Sequence, residues 1–335
     1  MRLPEQQIWA IPITLDTNRT DIKEGQSVLL TYKGKDVAVL KVQDVYAPNK
    51  FEEAQEIFRT ESPDHPGVYE LFNNKGKFYI GGDIVGLEAP QRTDGIQYAS
   101  PRELRKNLPS DKKVIAFQCR NPIHKAHYQL LLQAQKTIPD STILVHPTCG
   151  PTQPGDIDGF QRHQTYEVLQ EELNDNRLMW AYLPYSMMMA GPREAIQHMV
   201  LRKNFGATHF IIGRDMAGTK STRTGDDFYG PFDAQDFAKK YEKELGIEVV
   251  PSAEMVYTEE MGYVPKEEAK EKGLKLLKLS GTEFRRRLKG GEDIPEWFAF
   301  PNVVDLLRQR FQPEKEQVDI QIKTGSASSE QHVSN

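Results

Sequence analysis

The sequence predicts an α/β protein in which a doubly wound parallel sheet follows a β-rich region and precedes a small mixed region. From residue 113 to about 252, five short apolar runs alternate with four helical segments, which favours right-handed crossovers between parallel strands. Before residue 90, short β-branched runs are broken by Gly and Asp residues, which is typical of hairpins and turns.

Length and composition limit the function classes. The 335 residues suffice for two or three domains, and 38% hydrophobic and 27% charged residues are typical of soluble proteins. The net charge of −5 gives no basic excess, so nucleic acid is not an expected partner and any anion site must be a local concentration of charge. No apolar run approaches the roughly 18 residues of a membrane span.

Cysteine usage and the first residues indicate the compartment. Cys119 and Cys149 are too few for a disulfide framework or a zinc cluster, which fits a reducing environment. The first residues, MRLPEQQIWAIPITLD, lack the basic-then-apolar layout of a signal peptide. We therefore expect a cytoplasmic protein.

The N-terminal region, residues 1–100, is predicted to be β-rich. TYKGKDVAVLKV is interpreted as a hairpin that turns at Lys33-Gly34-Lys35. The segment SPRELRKNLPSDK, residues 100–112, is predicted to be a short helix and a linker.

The second region, 101–250, is predicted to hold the parallel sheet. Its predicted strands are 114–117, 142–146, 178–183, 208–213 and 247–251, and its predicted helices are 123–136, 159–173, 192–204 and 233–245. Ligands of such sheets bind at loops that leave the strand carboxyl ends. A small mixed domain, 251–312, and a disordered tail, 313–335, are predicted to follow.

The first of these loops has the composition of an anion site. In VIAFQCRNPIHKAH, the strand VIAF is followed by Gln118, Arg120 and Asn121, and Pro122 suits the first turn of the next helix. An arginine fork, amide donors and a helix N-terminus are groups that bind oxyanions. The alternative is that Arg120 bridges to an acidic residue.

Two histidines follow on the same helix. His124 and His127 are three residues apart and are therefore neighbours on a helix surface. They could be metal ligands, but no third ligand stands at a convincing spacing. We expect them to contribute to the anion site instead.

The second and third loops carry weaker signals. Asp158 is interpreted as a helix N-cap, and Asp156, Arg162 and His163 are uncertain contributors to the site. In the third loop, Gly191 and Pro192 predict another helix N-terminus that could face an anion. Met187–Met189 are typical of adaptable packing but could form an apolar wall for a flat base.

The fourth loop and a later turn add polar groups. Gly213, Arg214 and Asp215 follow a strand, with Lys220 and Arg223 in the long stretch beyond it. In LSGTEFRRRL, residues 279–288, the Ser-Gly-Thr turn is either a helix cap or a lid that supplies phosphate contacts. No GxxxxGK[ST] or GxGxxG motif is present, which argues against P-loop and Rossmann dinucleotide chemistry. The paired-histidine helix start after the first strand and the Ser-Gly-Thr turn beyond the last one favour nucleotidyl transfer instead.

Six blocks resemble the ATP sulfurylase (sulfate adenylyltransferase) family in the right order. They are QCRNPIHKAH, MAGPREAIQH, THFIIGRDMAG, DFYGPFDAQ, LSGTEFRRRL and IPEWF. The resemblance implies a PUA-like N-terminal β domain, an α/β nucleotidyltransferase domain and a small third domain. It also implies that ATP and sulfate give adenosine 5′-phosphosulfate and pyrophosphate, with Mg²⁺.

The resemblance assigns roles to residues. Gln118 and Arg120 would hold sulfate, aided by the backbone at Ala217, while His124 and His127 would stabilise charge on the α- and β-phosphates. The residues implied to contact ATP are Gln118, Cys119, Arg120, Asn121, Gly213, Arg214, Asp215, Met216 and Val256. The implied catalytic group is Cys119, Arg120, Asn121, His124 and His127, with no metal ligand in the chain.

Three residues depart from the family pattern. Cys119 stands where many members have Thr and some have Leu, so a nucleophilic role is not expected. Met216 replaces a common His, and Met188 a common Arg, which puts the catalytic rate in question more than the reaction. Members carry further residues ahead of the first block, so we expect the N-terminal domain to be incomplete, and an organellar location then stays open.

Expected partners are ATP and sulfate, with self-association into a homo-oligomer and without nucleic acid or membrane. Two rival functions remain: a nucleotidyltransferase that uses another acceptor, and a nucleotide-binding relative with weakened or no catalysis.

Overall fold

The computed structural model describes residues 2–89, 92, 94–252 and 254–309. The predicted disordered tail, 313–335, lies outside the described residues. No helix within the described ranges is long and apolar enough to cross a membrane.

The N-terminal part contains a four-stranded antiparallel sheet in the order β1-β4-β3-β2. Its strands are β1 (Leu15–Thr17), β2 (Ser27–Tyr32), β3 (Lys35–Tyr46) and β4 (Phe78–Gly86). The predicted hairpin is confirmed: Lys33 and Gly34, with φ of 50° and 77°, form the two-residue turn between β2 and β3.

Two helices that the sequence analysis missed lie between β3 and β4. They are α1 (Lys50–Phe58) and α2 (Pro66–Asn73). The Asn49 side chain caps α1, and His65 caps α2 ahead of Pro66, which is pre-shaped for a first helical turn. The predicted short helix is present as α3 (Pro101–Asn107), which begins with a Ser100 capping box.

The central part is a five-stranded parallel sheet in the order β7-β6-β5-β8-β9. Its strands are β5 (Lys113–Phe117), β6 (Ser141–Val145), β7 (Leu178–Trp180), β8 (His209–Ile212) and β9 (Glu248–Pro251). Its helices are α4 (Lys125–Thr137), α5 (Gly159–Leu173), α6 (Gly191–Asn204), α7 (Asp233–Lys239) and α8 (Glu242–Leu245). The predicted α/β class is confirmed, and the strand order reverses between β5 and β8.

The start of α4 differs from the prediction. The helix begins at Lys125, so Pro122 precedes it and His124, in an extended conformation, is its N-cap residue. The predicted single helix 233–245 is also divided, because i→i−3 bonds such as Tyr241 N to Ala238 O end α7 before α8 begins.

The C-terminal part adds a three-stranded antiparallel sheet in the order β11-β10-β12. It consists of β10 (Met255–Thr258), β11 (Gly262–Pro265) and β12 (Leu276–Leu277), with α9 (Lys266–Glu271), α10 (Gly281–Gly290) and α11 (Pro301–Gln309).

Two hydrophobic cores cover the two faces of the parallel sheet. One contains side chains of α1, α2 and α6, and the other contains side chains of α4, α5 and α11. The N-terminal helices therefore share a core with the sheet, which holds them beside the loops that follow β7 and β8.

Candidate active site

The site lies where the strand order reverses. β5 and β8 are adjacent and parallel, with Phe117 opposite Ile211, so the loops that leave them start side by side. Open α/β sheets bind ligands in the crevice at this position.

Gln118, directly after β5, has a fixed side-chain orientation. Its Oε1 accepts from Arg202 Nη2 at 2.8 Å and from Thr148 Oγ1 at 3.2 Å. Its Nε2 donates to the thioether of Met187 at 3.4 Å. The carbonyl end is therefore occupied by protein donors, and the amide N–H end has only a weak acceptor that an anion can replace.

Arg120 forms an ion pair within the protein. Its Nη1 lies 2.9 Å from Asp156 Oδ2 and 3.5 Å from the sulfur of Met189. Thr152 Oγ1 also donates to Asp156 at 2.8 Å, so this carboxylate sits in a loop that is held in place. The alternative considered for Arg120, a bridge to an acidic residue, is thus present in the structure.

Ala217, after β8, joins the same cluster. It has a φ of 53° and packs with Met187 and Met189, the two methionines beneath Gln118 and Arg120. The structure therefore brings the three predicted sulfate contacts together. The suggestion that the methionines line a base is wrong for Met189, because this side chain is fully buried.

The two histidines stack at the start of α4. Their ring centroids are 3.9 Å apart, and His124 also stacks on Phe298 at 5.4 Å. Burial lowers the pKa of His124 to about 4, and it lowers the pKa of His127 well below its usual value. His127 Nδ1 accepts from the backbone N–H of His124 at 3.4 Å, so its proton is on Nε2 and the ring is a neutral donor.

The other predicted contacts lie around these groups. Burial raises the pKa of the Cys119 thiol to about 12, which agrees with the expectation that it is not a nucleophile. Asn121 accepts from Tyr166 Oη at 3.1 Å through its backbone oxygen, and its side chain is exposed. Val256 lies on β10, which packs against α4.

The loop after β8 starts with Gly213, Arg214, Asp215 and Met216. Gly213 and Met216 are half-buried, and Arg214 is exposed without an ion pair among the described residues. Burial, followed by the charge of Asp227, raises the pKa of Asp215.

Further along this loop the charges are paired. Lys220 bonds to Asp227 at 2.7 Å and Arg223 to Asp64 at 3.2 Å, while Thr219 Oγ1 donates to Gln153 at 2.8 Å. Lys220 and Arg223 therefore bond to carboxylates in this structure, although both side chains remain exposed.

The start of α6 does not face an anion, contrary to the prediction from Gly191 and Pro192. Glu194, which is fully buried, accepts from the backbone N–H groups of Met188 and Ala190 at 3.0 Å each. The helix start is thus neutralised by the chain itself.

The turn after β12 caps α10, the first of its two interpretations. Ser280 accepts from Glu283 N at 3.1 Å, and Arg286 and Arg287 bond to the Glu283 carboxylate at 2.8 Å.

The predicted residues of the second loop have mainly structural roles. Asp158 caps α5, as predicted, and accepts from Gln161 N at 3.0 Å. Arg162 is buried and donates to the backbone oxygens of residues 148, 150 and 157, so it holds the loop instead of facing the site. His163 is also buried, with Nε2 3.4 Å from the Glu167 carboxylate.

Arg202 and Thr148 were missed by the sequence analysis. Arg202 lies in the last turn of α6, where a basic residue is usually solvated, yet it is fully buried. The signal was its spacing of four residues from His198, whose Nδ1 lies 2.6 Å from Arg202 Nη1. No group of three or more His, Cys, Asp or Glu residues within the described parts of the chain is arranged to hold a metal ion.

Fold and site together define a doubly wound α/β protein, with its candidate ligand loops at the reversal of strand order. The chain belongs to the ATP-sulfurylase family, whose model matches residues 97–310, and a PUA-like domain model matches residues 1–89. The resemblance drawn from the sequence is therefore confirmed, as is the PUA-like N-terminal part.

Curated relatives agree with this assignment. The sulfate adenylyltransferase of Phaeosphaeria nodorum is 43% identical over 330 residues, covering 94% of this chain and 57% of that protein. The sulfate adenylyltransferase of Saccharomyces cerevisiae is 41% identical over 325 residues, covering 94% and 63%. The chain thus spans less than two thirds of the length of these relatives.

Among solved structures, the fold is similar to one described as a hexameric APS kinase from Thiobacillus denitrificans. The TM-score is 0.70 at 24% identity, over 92% of this chain and 54% of that one. At this identity the similarity supports the fold alone.

Proposed function

We propose that the protein is a sulfate adenylyltransferase, which converts ATP and sulfate to adenosine 5′-phosphosulfate and pyrophosphate. Family membership and the names of the relatives support the reaction class. The observation that carries the proposal is the pair of donors after β5: the Gln118 amide and the Arg120 guanidinium contact Met187 and Met189, which belong to one cluster. A planar fork and a neutral amide suit a small tetrahedral oxyanion.

In the proposed reaction a sulfate oxygen attacks the α-phosphorus of ATP. A bond forms between that oxygen and phosphorus, the bond from phosphorus to the bridging oxygen of the β-phosphate breaks, and pyrophosphate leaves. The protein contributes mainly position and charge stabilisation. Arg120 Nη1 lies 2.9 Å from Asp156, and sulfate would bind either through the other N–H groups of the guanidinium or by replacing this carboxylate.

His124 and His127 are proposed to act on the pyrophosphate side. Because burial lowers the pKa of both rings, they enter the reaction as neutral imidazoles. A neutral Nε2–H of His127 can donate to an oxygen on which negative charge develops, without the cost of holding a buried cation beforehand.

ATP is proposed to lie across the two loops at the strand reversal. Its contacts would come from residues 118–121 and 213–216, with Val256 near the base. The described residues offer no metal site of their own. As the family resemblance implies, Mg²⁺ would arrive bound to the ATP phosphates, and we assign no step to a protein-held metal.

The test is sulfate-dependent exchange of labelled pyrophosphate into ATP on the purified chain. We expect exchange that requires sulfate. Exchange of equal rate without sulfate would indicate a nucleotidyltransferase with another acceptor. Absence of exchange while ATP still binds, as measured by calorimetry, would indicate a nucleotide-binding relative and would overturn the proposal.

A further inference from the structure

Arg202 is a fully buried cation whose hydrogen bonds go to neutral acceptors. Its Nη2 donates to Gln118 Oε1 and to the backbone oxygen of His146, each at 2.8 Å, and its Nη1 pairs with His198 Nδ1 at 2.6 Å. Among the described residues, no carboxylate lies within ion-pair distance of it. Glu194, on the same helix, attracts this charge without forming an ion pair, so the burial of Arg202 remains costly and calls for a role beyond packing.

Arg202 and Thr148 together decide which end of the Gln118 amide faces the ligand. An amide has an acceptor end and a donor end of nearly equal size, so it can be turned over with little steric cost. Two donors directed at Oε1 make one orientation far better than the other. In that orientation Nε2 points away from Arg202, toward Met187.

We propose that Arg202 is a positioning residue that holds the Gln118 amide with its N–H₂ toward the acceptor oxyanion and places a positive charge behind it. The identity of that oxyanion as sulfate rests on the proposed function. The role of Arg202 is indirect, since Gln118 stands between it and the ligand.

A second buried arginine shows that burial alone does not imply this role. Arg162 is 1% exposed, but its acceptors are backbone oxygens of the loop that it holds, those of Thr148, Gly150 and Ile157. Only Arg202 of these two bonds to a side chain of the site. Burial lowers the pKa of Arg202 to about 9, so the guanidinium still carries its charge at neutral pH.

The main experiment compares Arg202→Met and Arg202→Lys with wild type by exchange kinetics and thermal unfolding. We expect Arg202→Met to raise the KM for sulfate by about tenfold or more, the size expected for one charge-assisted hydrogen bond. The KM for ATP should rise by a clearly smaller factor, because Gln118 is only one of several proposed ATP contacts. Arg202→Lys keeps the charge without the planar fork, so its KM for sulfate should lie between that of wild type and that of Arg202→Met.

A matched control lies on the same helix. Arg193, on α6, pairs with Glu56 at 2.7 Å and donates to Ala10 O at 3.3 Å, on the side that faces the N-terminal part. Arg193→Met should leave both KM values at the wild-type level. A rise in the KM for sulfate as large as that of Arg202→Met would contradict the specific role of Arg202.

A second pair of variants tests the contact without relying on activity. In Gln118→Glu, the carboxylate would accept from Arg202 and form a buried ion pair, while its donor end would be lost. We expect Gln118→Glu to unfold at a higher temperature than Gln118→Leu, although neither binds sulfate by calorimetry. Equal unfolding temperatures would refute the contact with Arg202, even if both arginine variants fail to fold.

The outcomes separate the two proposals. If wild type shows no sulfate-dependent exchange, the proposed function fails, and the unfolding temperatures of the two Gln118 variants still decide whether Arg202 holds the Gln118 side chain. If wild type is active, and Arg202→Met folds and keeps a normal KM for sulfate, then the role proposed for Arg202 is refuted while the proposed function stands.

Discussion

Two helix starts at the same edge of the parallel sheet look alike in sequence and behave differently in the structure. Both α4 and α6 follow a strand and a proline-containing loop, and both were predicted to face an anion. The first turn of α4 contains no acidic residue, and two neutral histidines stand there. In α6, Glu194 takes the backbone donors of Met188 and Ala190.

The two starts differ in whether a carboxyl group of the same chain already occupies them. The positive end of a helix attracts the nearest available anion, and a buried carboxyl group of the same chain competes with any substrate. Glu194 cannot easily be exchanged, because it is fully buried and bonded on both oxygens. Asp156, the partner of Arg120, keeps 15% side-chain exposure and is therefore more accessible to an exchanging anion than the fully buried Glu194.

The largest effect on activity is expected at Arg120, in the loop that precedes α4. Arg120→Ala should lower the rate of sulfate-dependent exchange by about 10³-fold or more, since it removes the charged donor from the transition state. Folding should persist, because the side chain keeps 21% exposure and loses one ion pair.

Its control is Arg177→Ala, which breaks an arginine–aspartate pair of 2.6 Å at the amino end of β7. This variant should exchange at the wild-type rate. Activity of Arg120→Ala near that of Arg177→Ala would show that the α4 end is not the anion site.

A change at the start of α6, which Glu194 occupies, should alter stability instead of activity. Glu194→Ala leaves two buried N–H groups without an acceptor, so we expect the free energy of unfolding to fall by about 3 kcal/mol. Urea unfolding of Glu194→Ala and of the exposed-site control Glu248→Ala would measure this. A loss no greater than that of the control would mean that Glu194 does not close the helix start.

A smaller catalytic effect is expected at His127. Its neutral N–H should act mainly on the leaving group, so His127→Ala should lower kcat by about 100-fold with little change in the KM for ATP. His163→Ala, a buried histidine paired with Glu167 away from α4, serves as the control. A change confined to KM would place His127 in ground-state binding only.

The contrast between the two helix starts also explains what the sequence could predict. The alternation of apolar runs was enough for the parallel sheet, because buried strands and amphipathic helices have different periods. The loop 118–121 could be recognised because Gln118, Arg120 and Asn121, whose side chains all donate hydrogen bonds, are close together in the chain. These signals are local.

The rest depends on residues that meet only in the folded chain. Glu194, His198 and Arg202 stand four residues apart and resemble a solvated stripe, but α6 is covered on both sides by the sheet and the N-terminal helices. Arg202 and Gln118 are 84 positions apart, so no spacing rule links them. Asp156 could not be assigned to Arg120 for the same reason.

The smallest expected effect is a difference in the pH dependence of stability at the two ends. The pKa of His124 in the folded chain, about 4, is below that of a free histidine, so the unfolded chain binds more protons between the two values. This group therefore destabilises the fold as pH falls below about 6.5. Burial raises the pKa of Glu194, which gives the opposite sign: its contribution is greatest at low pH and is lost as pH rises through the raised value.

Urea unfolding at pH 5 and pH 8 would separate these contributions. Relative to wild type, His124→Gln should lose less stability between pH 8 and pH 5, by on the order of 1 kcal/mol, because the variant has no imidazole to protonate. Glu194→Gln should lose more stability than wild type between pH 8 and pH 5, because wild type gains a favourable term on acidification that the variant lacks. If both variants shifted the difference in the same direction, the two helix starts would not carry opposite electrostatics, and the distinction between the two starts would fail.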